Sequence, residues 1–109
     1  MARQSRFQRK EEMKIRELLK DSRAWTQHAF ARNRDNLPVP MLSPQAFKWS
    51  LVGALNYCYH AEPKKLDEVR DVLYAELEKQ KCYDLLLVYN DRTGMTHEKI
   101  LDLVTKLDV

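Results

Sequence analysis

Asp91, His97 and Glu98 fall within one eleven-residue stretch, YNDRTGMTHEK at 89–99, together with Thr93 and Thr96. Two carboxylates and an imidazole are groups that bind a metal or move a proton. Their spacing speaks against both. His97 and Glu98 are adjacent, so on a helix they diverge by about 100°. Asp91 stands six residues before His97, across a turn that contains Gly94. The other two histidines, His28 and His60, are scattered, and nothing nearby supplies a nucleophile or a pair of oxyanion donors. No catalytic residue, metal or cofactor is therefore expected.

The same residues read well as architecture. Thr96 is a good helix N-cap, and Glu98 falls in the first turn, where the helix dipole favours an acid. Asn90 and Asp91 are short polar side chains able to satisfy free backbone groups in a turn. Gly94 supplies a permissive backbone. This cap-and-turn role is the preferred reading of Asn90, Asp91 and Thr96, with a binding surface built from the same side chains as the alternative.

The elements that must position these residues follow from hydrophobic periodicity. Phe7 to Lys20 reads as a helix with Phe7, Met13, Ile15, Leu18 and Leu19 as its apolar stripe. Ser22 to Ala31 reads as a short second helix. Asn33 to Pro44, with Pro38, Pro40 and Pro44, reads as a loop. Ser43–Pro44 has the form of a helix start, cap then proline, and the helix is expected to run to about His60. Its apolar residues lie almost all round, which marks it as central. Gly53 inside it costs roughly 1 kcal/mol relative to alanine, so another backbone is expected to pass close there. Pro63 opens the next helix, about Lys64 to Lys81, on a stripe of Leu66, Val69, Leu73 and Leu77. Leu85 to Tyr89 is apolar on all sides. Periodicity cannot separate a strand from a short helix there; helix is chosen because no second strand is in view to pair with it. A final helix runs from Thr96 on Ile100, Leu101, Val104 and Leu107. The expected fold is all-α: one compact domain of four to six helices around a central helix near 43–60. A basic amphipathic helix over 1–20 precedes a helical domain over 21–109.

The chain has 109 residues, one domain's worth, with 44% hydrophobic and 32% charged residues, a globular balance. Two glycines, Gly53 and Gly94, are too few for a backbone cradle around phosphates. The charge is polarised. Residues 1–34 hold ten Lys/Arg against four Asp/Glu, a net +6, and residues 35–109 hold nine against twelve, a net −3. Such asymmetry points to an acidic partner, self-association or internal complementarity. The longest apolar runs, Leu51–Leu55 and Leu85–Tyr89, fall far below the ~20 residues needed to span a bilayer. The charged N-terminus has no apolar core of a secretory signal, so a cytoplasmic protein with reduced thiols is expected. Cys58 lies on a core face and reads as inert, and Cys82 as exposed. Trp25 and Trp49 are expected to be at least half buried.

Three segments, WTQHAFARN at 25–33, WSLVGALNY at 49–57 and YNDRTGMTHEKILDLV at 89–104, together resemble a family of small bacterial and phage proteins known only as a domain of unknown function. The resemblance spans roughly residues 24–106 and rests on Trp25-Thr26-Gln27, Gly53-Ala54-Leu55 and Tyr89-Asn90-Asp91. It implies an all-helical fold and no assigned activity. Ser50 stands where that family commonly has cysteine, and Asn36 where its loop often has glycine.

The expected function is a small non-catalytic protein that binds another protein, with interference with a host or defence complex as the form the phage resemblance suggests. Arg6, Arg9, Lys10 and Arg16 on the N-terminal segment, with Arg32, Arg34, Asp35 and Asn36 at the loop, are the candidate contact residues. Trp25, Thr26, Gly53, Asn90, Asp91 and Thr96 are the candidate structural residues. The alternative is a nucleic-acid-binding accessory protein using the basic segment, which Glu11, Glu12 and Glu17 interrupt. The N-terminal helix could also pack on a second copy of itself, and no membrane role is expected.

Overall fold

The computed structural model describes residues 13–109. Within them the chain forms five α-helices, one 3-10 turn and a three-stranded antiparallel sheet. Helix α1 (Ile15–Leu18) is a single turn, followed by the 3-10 turn Ser22–Ala24. Strands β1 (Ala31–Arg32), β2 (Pro38–Val39) and β3 (Lys48–Trp49) come next, and then α2 (Leu51–Tyr59), α3 (Pro63–Lys79), α4 (Leu86–Asn90) and α5 (His97–Leu107).

The sheet corrects the all-α expectation. Its order is β2-β1-β3, with Ala31 opposite both Val39 and Trp49 and Arg32 opposite both Pro38 and Lys48. The expected helix over Ser22–Ala31 is replaced by the 3-10 turn, an extended segment and β1. Trp25 bridges Trp49 in parallel, and the Thr26 amide donates to the Trp49 carbonyl at 3.1 Å. These pairings are long-range, so the local pattern that suggested helix is overridden by backbone partners far along the chain.

The central helix also starts later than the residues 43–60 suggest. Ser43 accepts the Gln45 amide at 3.1 Å in a local turn and caps no helix. Residues 48–49 are taken by β3. The Phe47 amide donates to the Arg32 carbonyl at 2.8 Å and the Ser50 amide to the Phe30 carbonyl at 3.1 Å. Ser50 is the actual N-cap, its Oγ accepting the Gly53 amide at 3.1 Å. At Gly53 a Cβ would stand 2.0 Å from the Phe30 carbonyl oxygen. The backbone that passes close to this glycine is therefore the one leading into β1.

The helix expected over Phe7–Lys20 lies partly outside the described residues. Within them its helical part is Ile15–Leu18 alone. Ile15 and Leu19 are fully buried in the same core as Leu51 and Leu55 of α2, Leu73 and Leu77 of α3, and Ile100 and Val104 of α5. The Ile15 amide and the Tyr59 hydroxyl both donate to the Val109 carbonyl, at 2.6 and 3.0 Å, tying α1 and the C-terminal end of α2 to the end of α5. Helix α3 opens on Pro63 at its first position and buries Val69, Leu73 and Leu77 of the expected stripe. Leu86–Asn90 is helical. Thr96 caps α5 through a 3.2 Å bond from the Lys99 amide. Cys82, expected at the surface, is buried. Among the described residues no helix is long and apolar enough to cross a membrane.

Candidate functional site

Of the stretch 89–99, Asn90 and Asp91 converge with residues from distant segments of the chain. Asn90 ends α4 fully buried, and its side chain uses every polar valence. Its Oδ1 accepts the Trp25 indole N–H at 2.8 Å and the Leu51 amide at 3.0 Å. Its Nδ2 donates to the Thr26 carbonyl at 3.1 Å and to Asp91 Oδ1 at 2.9 Å. An indole N–H and a backbone amide can only donate, which fixes which end of the Asn90 amide is oxygen. Asn90 thus pins the start of α2 and the Trp25–Thr26 segment to the end of α4.

Asp91 extends the same junction. Its Oδ1 also accepts the His28 amide at 2.9 Å, and its Oδ2 lies 3.9 Å from His28 Nδ1. His28 takes a left-handed backbone, φ 66°, an uncommon conformation for a non-glycine residue, which this capping carboxylate helps to hold. Gln27 completes the clamp: its Nε2 donates to the carbonyls of Asn90 and Arg92 at 2.9 and 3.1 Å. Trp25-Thr26-Gln27-His28 therefore docks along Asn90-Asp91-Arg92 by side-chain and backbone hydrogen bonds alternately. The sequence reading placed Asp91 in its own turn; the structure gives its oxygens to a segment 63 residues away. Gln27 was missed as a structural residue. Its place between Thr26 and His28 in the Trp-Thr-Gln motif was the available signal.

His97 and Glu98 do not join this junction. His97 Nε2 meets the Leu19 carbonyl across the α1–α5 contact, and Glu98 is exposed in the first turn of α5. Among the described residues no group of three His, Cys, Asp or Glu side chains is placed to hold a metal ion. Burial pushes the Cys58 thiol up to about 12, with the Glu17 carboxylate adding in the same sense, so it is a neutral thiol at physiological pH. Cys82 Sγ lies 3.2 Å from the Arg92 guanidinium, which is itself paired with Asp84 at 2.7 Å and lies over the Tyr89 ring.

The candidate contact residues part company. Arg6, Arg9 and Lys10 lie outside the described residues. Arg16 pairs with Asp108 at 2.8 Å. Arg32 is drawn inward, its guanidinium donating to Thr26 Oγ1 at 3.0 Å and to the carbonyls of Asn36 and Gln27 at 3.0 and 3.3 Å. Arg34, Asp35 and Asn36 do cluster, at the tip of the β1–β2 hairpin. Asn33 Oδ1 shapes that tip by accepting the Asp35 and Leu37 amides at 2.9 and 3.0 Å, and Asn36 takes φ 67° there. Lys48 Nζ holds Asn36 Oδ1 at 3.2 Å. Arg34 lies over the Phe47 ring, 4.3 Å from its centroid. Beside it opens a cleft of about 450 Å³ between Asn33–Asp35 and Pro44–Phe47.

Residues 13–107 match the model of a family of unknown function, DUF6197. The chain belongs to that family. The match begins before Ile15, so α1 is part of the DUF6197 domain, whereas the sequence resemblance began near residue 24. Both halves of the Trp25–Asn90 junction fall within it. No curated protein and no solved structure matches the chain.

Proposed function

We propose that this DUF6197 protein is a non-catalytic protein that works by occupying the surface of another protein, with the cleft beside the β1–β2 hairpin as its contact surface. The carrying observation is that cleft, which gathers Arg34, Asp35, Asn33 and Phe47. Arginine stacked on an aromatic ring is the kind of anchor that protein interfaces concentrate. Leu37 and Leu42 add exposed apolar side chains in the same stretch of chain. Internal bonds at Asn33, Arg32 and Lys48 hold the hairpin tip, so less ordering entropy is lost on binding. The acid and imidazole groups support the non-catalytic part of the reading: Asp91 is spent on His28 and Asn90, and His97 on Leu19. A partner held this way is blocked rather than transformed, which is how interference with a host or defence complex would operate.

The alternative, binding of nucleic acid, loses two of its cations to internal contacts at Arg16 and Arg32. Affinity capture from the native host tests the proposal, comparing the natural chain with Arg34→Glu and Leu37→Asp. The expected result is a defined protein partner whose recovery falls about tenfold in both variants, as for interface anchors. Equal recovery by all three chains would remove the cleft from the reading.

A further inference from the structure

We propose that the cleft between α5 and the ends of α3 and α4 is a binding site for a small zwitterion of the α-amino-acid class. The cleft has a volume of about 300 Å³ and is lined by Gln80, Tyr89, Lys99, Asp102, Leu103 and Lys106. Asp102, Leu103 and Lys106 stand three, four and seven residues after Lys99 on α5, so the four share one face of that helix. Tyr89 is 8% exposed, yet none of the described residues bonds its hydroxyl. Among the described residues no side-chain oxygen sealed from solvent lacks a partner, so this hydroxyl reaches an opening, and the opening its residue lines is the cleft. Burial raises the phenol above its ordinary value of 10, which keeps it a neutral O–H able to donate or accept.

The charged groups around that hydroxyl are of two kinds. Lys106 and Gln80 are committed: both donate to Glu76 Oε2, at 2.6 and 3.1 Å, and Glu76 is only 4% exposed. Lys106 is thereby neutralised where it stands. Lys99 and Asp102 are uncommitted. Neither forms an ion pair among the described residues, and the Lys99 ammonium makes only a 3.5 Å contact with the Gly94 carbonyl. One helical turn apart, about 5–6 Å between Cβ atoms, they can reach charges carried on neighbouring atoms of one ligand. A ligand of single charge meets its own sign in this pair: an anion faces Asp102, and a cation faces Lys99. A zwitterion satisfies both, its carboxylate on Lys99 and the Tyr89 hydroxyl and its ammonium on Asp102. Leu103, 5% exposed, and the Tyr89 ring form an apolar wall for an aliphatic side chain.

Titration of the full chain with L-leucine, followed by backbone amide resonances and calorimetry, tests this. The expected result is saturable binding with shifts at Gln80, Lys99 and Leu103. N-acetyl-L-leucine, which lacks the ammonium, and L-leucinamide, which lacks the carboxylate, should each bind about tenfold or more weakly. Asp102→Asn should abolish the preference over the acetylated probe, and Lys99→Gln the preference over the amide. Tyr89→Phe should weaken L-leucine about fivefold with circular dichroism unchanged. No saturable shift at about 10 mM L-leucine overturns the proposal. So does equal binding of the three probes, or binding that none of the three substitutions alters. The hairpin cleft is read by different residues, Arg34 and Leu37, so either proposal can fail alone.

Discussion

Helix α4 inverts the usual rule of burial within five residues. Asn90 at its end is fully buried, and Leu87 and Val88 one turn earlier face water, as does Leu85 just before the helix. Side-chain polarity alone would have placed them the other way round. What decides is whether the rest of the chain supplies partners. Asn90 meets an indole, two backbone groups and a carboxylate, so its desolvation is offset bond for bond. Leu85 and Val88 meet no comparable covering among the described residues. The buried polar group is kept by bonds with Trp25, Thr26 and Leu51, and the exposed apolar ones are not held by comparable packing among the described residues.

The largest expected effect comes from emptying the buried side of that comparison. Asn90→Leu keeps the branched shape and removes the shared acceptor, leaving the part-buried Trp25 indole N–H and the buried Leu51 amide without it. Two stranded donors cost roughly 3 kcal/mol or more. Urea denaturation followed by tryptophan fluorescence reads the loss, and Trp25 reports its own release. A loss below about 1 kcal/mol would mean the junction is not what specifies the fold.

Gly53→Ala tests the same region through shape alone. The new methyl would stand 2.0 Å from the Phe30 carbonyl oxygen, a backbone atom held by the Ser50 amide. Overpacking against backbone costs roughly 2 kcal/mol, partly offset by alanine's better helix propensity. Thermal unfolding should show a drop; a rise in midpoint would mean that β1 yields freely.

How much of this was legible follows from which forces are local. The stripes of α3 and α5, the Pro63 start and the Thr96 cap are short-range signals, and they appear where the sequence puts them. Gly53 was legible for the same reason: a glycine inside an apolar helix needs a neighbour to explain it. The sheet was not. Each strand is two residues long, too short for alternation to register, and β1 is held by partners at Val39 and Trp49. Ser43–Pro44 carried a helix-start signal that β3 overrode, and Ser50, with no proline after it, became the cap. At the candidate site, Trp25, Thr26, Asn90 and Asp91 were identified individually and Gln27 only as part of its motif, but their pairing across the chain was not. Periodicity says which side of an element is apolar and nothing about which distant segment will meet it.

Glu76 is a second buried polar residue and gives a smaller, pH-dependent test. It is nearly inaccessible, with Lys106 Nζ at 2.6 Å and Gln80 Nε2 at 3.1 Å. The hydrogen bond from Lys106, then that from Gln80, holds its carboxyl below the ordinary value of 4.5. The folded state therefore favours the ionised form. Stability from this group is full above pH 4.5 and is lost as pH falls through the lowered folded value. Asp108, lowered by its bonds from Lys14 and Arg16, acts in the same sense, so Glu76→Gln should flatten the acid limb without abolishing it. Melting temperatures of both chains from neutral pH down to the carboxylate range show this. Parallel curves would mean that Glu76 contributes nothing through its charge.

The smallest expected effect lies on the exposed side of α4. Leu85→Glu and Val88→Glu replace apolar side chains that already stand in water, so urea unfolding should shift by no more than about 0.5 kcal/mol. That near-silence is informative because Asn90→Leu, on the same five-residue helix, is expected to be severe. A large loss from Leu85→Glu would mean that Leu85 already packs within its own chain.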